Sequence, residues 1–427
     1  MSKHIVISTI GTMGDVLPYI ALAKQLKKNG FDVSLGAPSD FEILAQQHDI
    51  KYFSLGQSIQ SFVSQPSFDD TFAKNHIINM PNLLAQGQKI ISKAANKTWQ
   101  GVQNADAIII NINTSFGIDM AEALDIPVIM TALQPIHPTD EFPLFLSPTP
   151  NFGRLLNRLT YAAASIQQAY FDLPRFKIRQ ELLGLNPLHN GNFAKDASGK
   201  DLTTLYAYSP FISPKPHDWP KTATVTGFWR VLDNSNWQPS SEFRAFLKAG
   251  EKPIYVGFGS MPFGAKQNTQ ILKEAAKIWG GRIVISTGWG GLEPNDLPSN
   301  VFVIDKAPHD KLFPYMAGVV HHGGAGTTAA GLYAACPTLI LPQAVDQPFW
   351  GNRVHELGCG PVPIPLRKIT SEHLASALKK LYTEKSYKQH AQELALKLNK
   401  ENGPEIAVEQ LTQVIKDYKK NLNKVAY

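Results

Sequence analysis

Short apolar runs alternate with stretches of helical spacing along most of the chain. In the first half the runs are "HIVIST", "FDVSLGAP", "KYFSLG", "DAIIININ" and "IPVIMTALQ". Several are apolar almost throughout, with no polar alternation. Such runs predict parallel strands covered by helices on both faces. Between them "LPYIALAKQLKKNG" and "DFEILAQQHDI" have helical spacing, the former ending at Gly30. Residues 152–185 predict a long helical hairpin broken near Pro174. The Pro-rich stretch 209–220, "SPFISPKPHDWP", reads as an interdomain linker. Beyond it the alternation restarts with "KPIYVGFGSM", "RIVIST", "VFVIDK", "GVVHH" and "PTLILP". The pattern predicts an α/β protein of two doubly wound halves, residues 1–215 and 216–400, with a closing helix over 401–427.

Composition narrows this picture. A chain of 427 residues is too long for one ordinary domain. The net charge of +6 is mild and dispersed, with no basic stripe interleaved with aromatics, so nucleic acid is not an expected partner. Two cysteines, Cys336 and Cys359, support neither a disulfide framework nor a zinc site. No signal-peptide pattern and no run of about 18 uncharged apolar residues occurs. The expected location is cytoplasmic, with contact at the inner face of a membrane left open by the basic closing segment "KDYKKNLNK".

One segment carries chemistry. In "VVHHGGAGTTAAG" an apolar strand runs into His321 and His322, then Gly323, Gly324 and Gly326, then Thr327 and Thr328 at a helix start. A glycine loop entering a helix aims backbone N–H groups at an anion, and the helix dipole adds to them. A histidine ahead of it can donate to a diphosphate. The spacing Gly324-x-Gly326-x-x-Ala329 also fits a dinucleotide fingerprint, with Asp346 lying 346−326 = 20 residues on. Against that reading, the motif follows a late strand of its half, and histidines replace the apolar residues expected there.

The segment "HHGGAGTT…P…DQPFWGNRVHELGCGP" resembles the donor-binding signature of family 1 glycosyltransferases with the GT-B fold, the sterol glucosyltransferase and glycopeptide-antibiotic branches above all. "IGTMGDVLPYIALAKQL", "VTGFWRVLD", "PIYVGFGSM", "STGWGGL" and "APHDKLFP" are similar to further segments, in the family's order. The resemblance implies two Rossmann-like domains facing a central cleft, the first for an acceptor and the second for a UDP-sugar. It implies that the closing helix crosses back onto the first domain. It assigns His322 to the donor diphosphate, with Gly324, Ala325, Gly326 and Thr327 as its cradle and Ser260 as a further phosphate contact. Asp346 and Gln347 match the pair that hydrogen-bonds sugar hydroxyls, while Ala307 and His309 match the base-holding loop. Lys306 stands where plant relatives have a base-stacking Trp, so Trp289 is the candidate platform and the choice of uracil or thymine stays open.

Sugar transfer to an alcohol needs a group that takes the hydroxyl proton. The first strand–helix loop, "TIGTMGDV", has no histidine, and Asp15 matches the aspartate of the sterol and antibiotic branches. Asp15 and His322 are therefore the expected catalytic pair, with Gly14 beside them in the donor set. Direct displacement on an α-linked donor would give a β-glycoside, and no metal cofactor is expected. His137, Asp140 and Glu141 are candidates for the acceptor side. The apolar segments 62–87 and 143–164 suit a greasy alcohol: a sterol, another lipid or a polyketide. Each assignment has a plainer alternative. Asp15 and Asp346 can cap helices, Ser260 can cap a turn, Trp289 can be a core aromatic, and His321 can pack or orient its neighbour. Two other functions fit the same cleft: a nucleotide-sugar epimerase, and a non-catalytic sugar-nucleotide or lipid binder.

Overall fold

In a computed structural model, residues 2–56, 58, 61, 80–147, 149–171, 173–187, 194–196, 198–232, 235–257, 265–286, 296–304 and 307–425 are described. Their strands form two sheets, each parallel throughout. The first holds β1 (His4–Ser8), β2 (Asp32–Ala37), β3 (Lys51–Ser54), β4 (Ala107–Asn111), β5 (Val128–Ala132), β6 (Thr204–Tyr206) and β7 (Ala223–Val225), in the order β3-β2-β1-β4-β5-β6-β7. The second holds β8 (Ile254–Gly257), β9 (Ile283–Ser286), β10 (Val301–Ile304), β11 (Gly318–His321) and β12 (Thr338–Ile340), in the order β10-β9-β8-β11-β12. Both sheets share the reversal of strand order next to their first strand that makes a ligand crevice at the strands' C-terminal ends.

The apolar runs account for this. Ala107 to Asn111 are buried without exception, which an antiparallel sheet wet on one face would not require. β4 pairs with β1 on one side (Ile7 opposite Ile109) and with β5 on the other (Ile109 opposite Ile129). The first half's core gathers Ile5, Ile7, Tyr19, Ile20, Leu35 and Ile109. In the second half Ile254, Val256, Ile283, Ile285 and Leu339 play that part.

Two sequence expectations shift. The Pro-rich stretch 209–220 is not the link between the halves. It joins β6 to β7 within the first sheet, and buries Ile212 and Trp219. Trp219 stacks on Tyr206 with centroids 4.4 Å apart. The first sheet thus extends beyond residue 215, to Val225. Prolines mark a chain that leaves regular structure, whichever two elements it joins, so composition could not separate a crossover from a linker. The first helix, Met13–Lys28, begins five residues ahead of Pro18, which lies inside it. The helical hairpin does break where expected: the helix Arg154–Phe171 is followed by Leu173–Lys177, which contains Pro174, and by a π turn over Ile178–Leu182.

The final helix, Gly403–Val425, adds Ala407, Val408, Leu411 and Ile415 to the first half's core, beside Val16, Tyr19 and Ile20. A mixed apolar cluster joins the halves, with Tyr206, Tyr208 and Trp219 from one and Leu332, Phe349 and Trp350 from the other. Arg353 Nε donates across it to the Ile212 carbonyl at 2.8 Å.

Candidate active site

β1 hands the chain to a tight loop before the Met13–Lys28 helix. Thr12 is the N-cap and Asp15 the third helical residue. The Thr12 N–H donates to Asp15 Oδ2 at 2.8 Å, and the Thr12 hydroxyl donates to the same oxygen at 3.1 Å. Gly11 makes room for this: a Cβ there would lie 2.3 Å from Asp15 Cγ. Asp15 therefore does cap its helix, as the plainer reading held. Capping leaves the carboxylate without a cation; among the described residues it meets the neutral donors of Thr12. Loss of hydration on burial pushes its carboxyl up to about 6, against the pull of the Thr12 N–H, and the charge of Asp346 adds to the rise. Gly14 lies beside it, exposed in the first helical turn.

Across the cleft β11 ends at His321. The His321 ring is buried, and Nδ1 accepts the Gly323 N–H at 2.9 Å. His321 thus shapes the loop, and the Gly323 N–H is taken. The helix Ala325–Tyr333 follows, capped by Gly324. Thr328 N to the Gly324 carbonyl, 2.9 Å, is its first internal bond. The N–H groups of Gly324, Ala325, Gly326 and Thr327 precede it and, among the described residues, are open to an anion. His322 lies against this turn, its Nε2 2.8 Å from where a Cβ on Gly324 would stand. Burial drives His322 down to about 4, so near neutral pH it is a neutral imidazole. Its Nδ1 is buried with no partner among the described residues.

Asp346 precedes the helix Gln347–Glu356 at the N-cap position, but its side chain makes no cap bond. Instead Asp346 Oδ2 accepts the Trp350 indole N–H at 2.7 Å and the Gln134 amide at 3.2 Å. Gln134 belongs to the first half, two residues beyond β5. Burial raises the Asp346 carboxyl, and these two donors oppose the rise. Gln347 Oε1 accepts from the backbone of Gln343 at 2.7 Å and of Ala344 at 3.1 Å, which holds the loop closed. Just before Asp346, Val345 has φ 57, a costly conformation for a β-branched residue.

The remaining candidates divide. His309 stacks on Phe313 with centroids 4.5 Å apart and meets Tyr255 edge-on at 5.9 Å; Ala307 packs beside them. Burial brings His309 down to about 4. Ser260, Trp289 and Lys306 lie outside the described residues, as does most of the apolar segment 62–87.

On the acceptor side the structure gives three candidates partners of their own. His137 is buried in the aromatic cluster, its Nδ1 hydrogen-bonded to the Tyr206 hydroxyl and its ring 5.6 Å from that of Trp219. Asp140 pairs with Arg154 at 2.7 Å and Glu141 accepts from His217 Nδ1 at 2.8 Å, so both brace a surface loop. Glu141, Phe142 and Phe349 line a cavity of about 230 Å³ between the halves. Leu155, Leu156 and Leu159, expected in an acceptor wall, face outward with more than half of each exposed. Side chains separated by three or four helical positions share a face, but periodicity does not say which way that face points.

Three helpers escaped sequence reading. Thr12 and Asp15 form a T-x-x-D capping pattern, which a capping search would have found. Trp350 lies one helical turn after Asp346, at the spacing where side chains meet. Gln134 carries no local signal beyond following a strand end.

Comparison with known proteins agrees with this geometry. Residues 5–143 match the glycosyltransferase family 28 N-terminal domain, and residues 270–414 the erythromycin biosynthesis protein CIII-like C-terminal domain. The sterol 3-beta-glucosyltransferases UGT80B1 and UGT80A2 of Arabidopsis thaliana are 33% and 35% identical over 95% and 98% of this chain, which spans 67% of each. The Saccharomyces cerevisiae sterol 3-beta-glucosyltransferase is 32% identical over 94% of the chain, which spans 34% of it. Among solved structures, the glycotransferase of kitacinnamycin matches with a TM-score of 0.70 over 97% of this chain and 99% of its own, at 17% identity. The glycosyltransferase VinC, solved with dTDP, matches with 0.68 over 97% and 100%, also at 17% identity. The two parallel sheets, their facing strand ends and these relatives together show that the chain is a GT-B glycosyltransferase and belongs to the sterol 3-beta-glucosyltransferase family.

Proposed function

We propose that the chain transfers glucose from UDP-glucose to the 3β-hydroxyl of a sterol-like acceptor, with inversion at the anomeric carbon. The observation that carries this reading is the meeting of the two halves at Asp346, whose Oδ2 accepts the Gln134 amide of the first half at 3.2 Å. One carboxylate from each half lies close enough that the charge of Asp346 raises Asp15, and neither is neutralised by a cation among the described residues. Asp15 takes the acceptor hydroxyl's proton as its oxygen attacks C1 of the sugar. The C1–O bond to the diphosphate breaks, and UDP leaves with the electron pair. The N–H groups of Gly324 to Thr327, the helix dipole and His322 meet the growing charge on UDP. Asp346 and Gln347 hold the sugar hydroxyls, and the Ala307–His309 loop holds the base.

Charge on the leaving group is met by protein groups in this mechanism, so no divalent metal is required. Turnover in excess EDTA should match turnover with magnesium. Incubation with radiolabelled UDP-glucose and a panel of sterols and other apolar alcohols tests the whole reading. A sterol-dependent β-glucoside is expected; epimerised UDP-sugar, or binding without product, would reject it. His322→Ala should lower turnover about 10²-fold and weaken UDP binding, and unchanged UDP affinity would remove His322 from the diphosphate site.

A sterol acceptor resides in membranes, and the outward Leu155, Leu156 and Leu159 of the acceptor half suit peripheral contact there. Among the described residues no helix is long and apolar enough to cross a membrane. Co-sedimentation with sterol-containing vesicles, weakened in a Leu155→Ser/Leu159→Ser variant, checks that contact.

A further inference from the structure

A side-chain hydrogen bond crosses the cleft at the sugar site. Gln134 Nε2 donates to Asp346 Oδ2 at 3.2 Å, and Trp350 Nε1 donates to the same oxygen at 2.7 Å. Neither bond uses Oδ1. Leu133 and Pro135 on either side of Gln134 are buried, so the amide projects from an anchored stretch of backbone. Trp350 is itself wholly buried. Asp346 is therefore gripped from its own half by a rigid indole, and from the opposite half by an amide.

We propose that Gln134 is a positioning residue for the donor sugar: it reaches over from the acceptor half, fixes the Asp346 carboxylate together with Trp350, and leaves Oδ1 to the sugar hydroxyls. The inference rests on the reading of Asp346 as a sugar ligand. The residue type suits the task. An amide donates a hydrogen bond and leaves the charge of Asp346 in place. A lysine or arginine there would draw Asp346 into an ion pair, and a carboxylate would repel it. The bond also needs both halves in register, so donor binding is favoured when the cleft is closed, which is the state in which Asp15 faces the donor. UDP alone carries no sugar and gains nothing from the arrangement.

The test compares wild type with Gln134→Ala, Gln134→Glu and Asp346→Asn by calorimetric titration with UDP-glucose and, separately, with UDP. Gln134→Ala should weaken UDP-glucose binding about tenfold, as expected when a charged group loses a hydrogen bond. Gln134→Glu, of the same shape, should weaken it further near neutral pH. UDP affinity should stay within twofold in both, and KM for UDP-glucose should rise more than kcat falls. A merely structural role would move UDP and UDP-glucose together, and that result would overturn the proposal. Full UDP-glucose affinity in Gln134→Ala, beside a weakened Asp346→Asn, would overturn it while sparing the sugar-site reading. Full affinity in Asp346→Asn would remove both.

Discussion

Asp119 and Asp15 each follow a strand of the first sheet, and the fold surrounds them in opposite ways. Asp119 is wholly buried; it accepts from Arg175 at 2.6 and 3.0 Å and from Arg179 at 2.9 Å, and Arg179 reaches on to Glu122 at 2.7 Å. Its charge is spent on locking the Gly117–Leu124 helix to the Leu173–Leu182 segment. Asp15 instead meets the neutral donors of Thr12 and the like charge of Asp346. A carboxylate between guanidiniums has its hydrogen-bonding capacity taken up by fixed ion pairs. One held by neutral donors, short of water and near another anion, takes a proton readily near neutral pH. The first arrangement braces the first half, and the second leaves a carboxylate without a cation partner among the described residues at the cleft, as the proposed base requires.

Substitution should separate the two roles. The largest effect is expected from Asp15→Asn: turnover should fall about 10²–10⁴-fold while UDP-glucose affinity changes little, checked by steady-state kinetics beside calorimetric titration. Normal turnover would make Asp15 a helix cap alone. The same substitution should stabilise the fold. The carboxyl sits at about 6 in the folded chain and 3.8 ordinarily, so the folded state holds the proton more tightly. Stability from this group is present below pH 4 and is lost as pH rises through 6. Removing the charge should therefore raise Tm at pH 7.5, by a contribution of about 1 kcal/mol after screening by cleft water, and hardly at all at pH 4.

Asp119→Ala should do the reverse. It leaves the buried Arg175 uncompensated and Arg179 with Glu122 alone, and a loss of about 3–5 kcal/mol in denaturant unfolding is expected. Any protein that remains folded should keep its affinity for UDP. Next in size, kcat/KM should fall tenfold per pH unit below about 6, where Asp15 becomes protonated. The smallest effect sharpens the comparison most. In Asp346→Asn, with the facing charge gone, the acid limb of kcat/KM should move to lower pH, since that charge adds to the rise of Asp15. An unmoved limb would mean that the two carboxylates do not feel each other.

The strands were legible because a parallel strand buried on both faces is a local apolar run, as "DAIIININ" shows. The glycine turn was legible for a similar reason: histidines, glycines and threonines are contiguous from His321 to Thr328, and the strand-to-helix turn needs no distant partner. Asp15 was reached through resemblance, while its bond to Thr12, written in the T-x-x-D spacing, went unread. The acceptor side was not legible. His137 looked available in "LQPIHPTDEFP", yet Tyr206 and Trp219, 69 and 82 residues further on, enclose it. The Pro-rich stretch misled because nothing local distinguishes a crossover within a sheet from a link between domains.

Sequence by itself determined the two parallel sheets, the glycine turn and the family, since each is written in neighbouring residues with a fixed period or order. Tertiary structure alone decided which groups face one another: Gln134 against Asp346, Asp15 near Asp346, and Asp119 between two arginines. Hydration and charge depend on what lies within a few ångströms in space, and folding brings there residues such as Gln134 and Asp346, 212 positions apart in the chain.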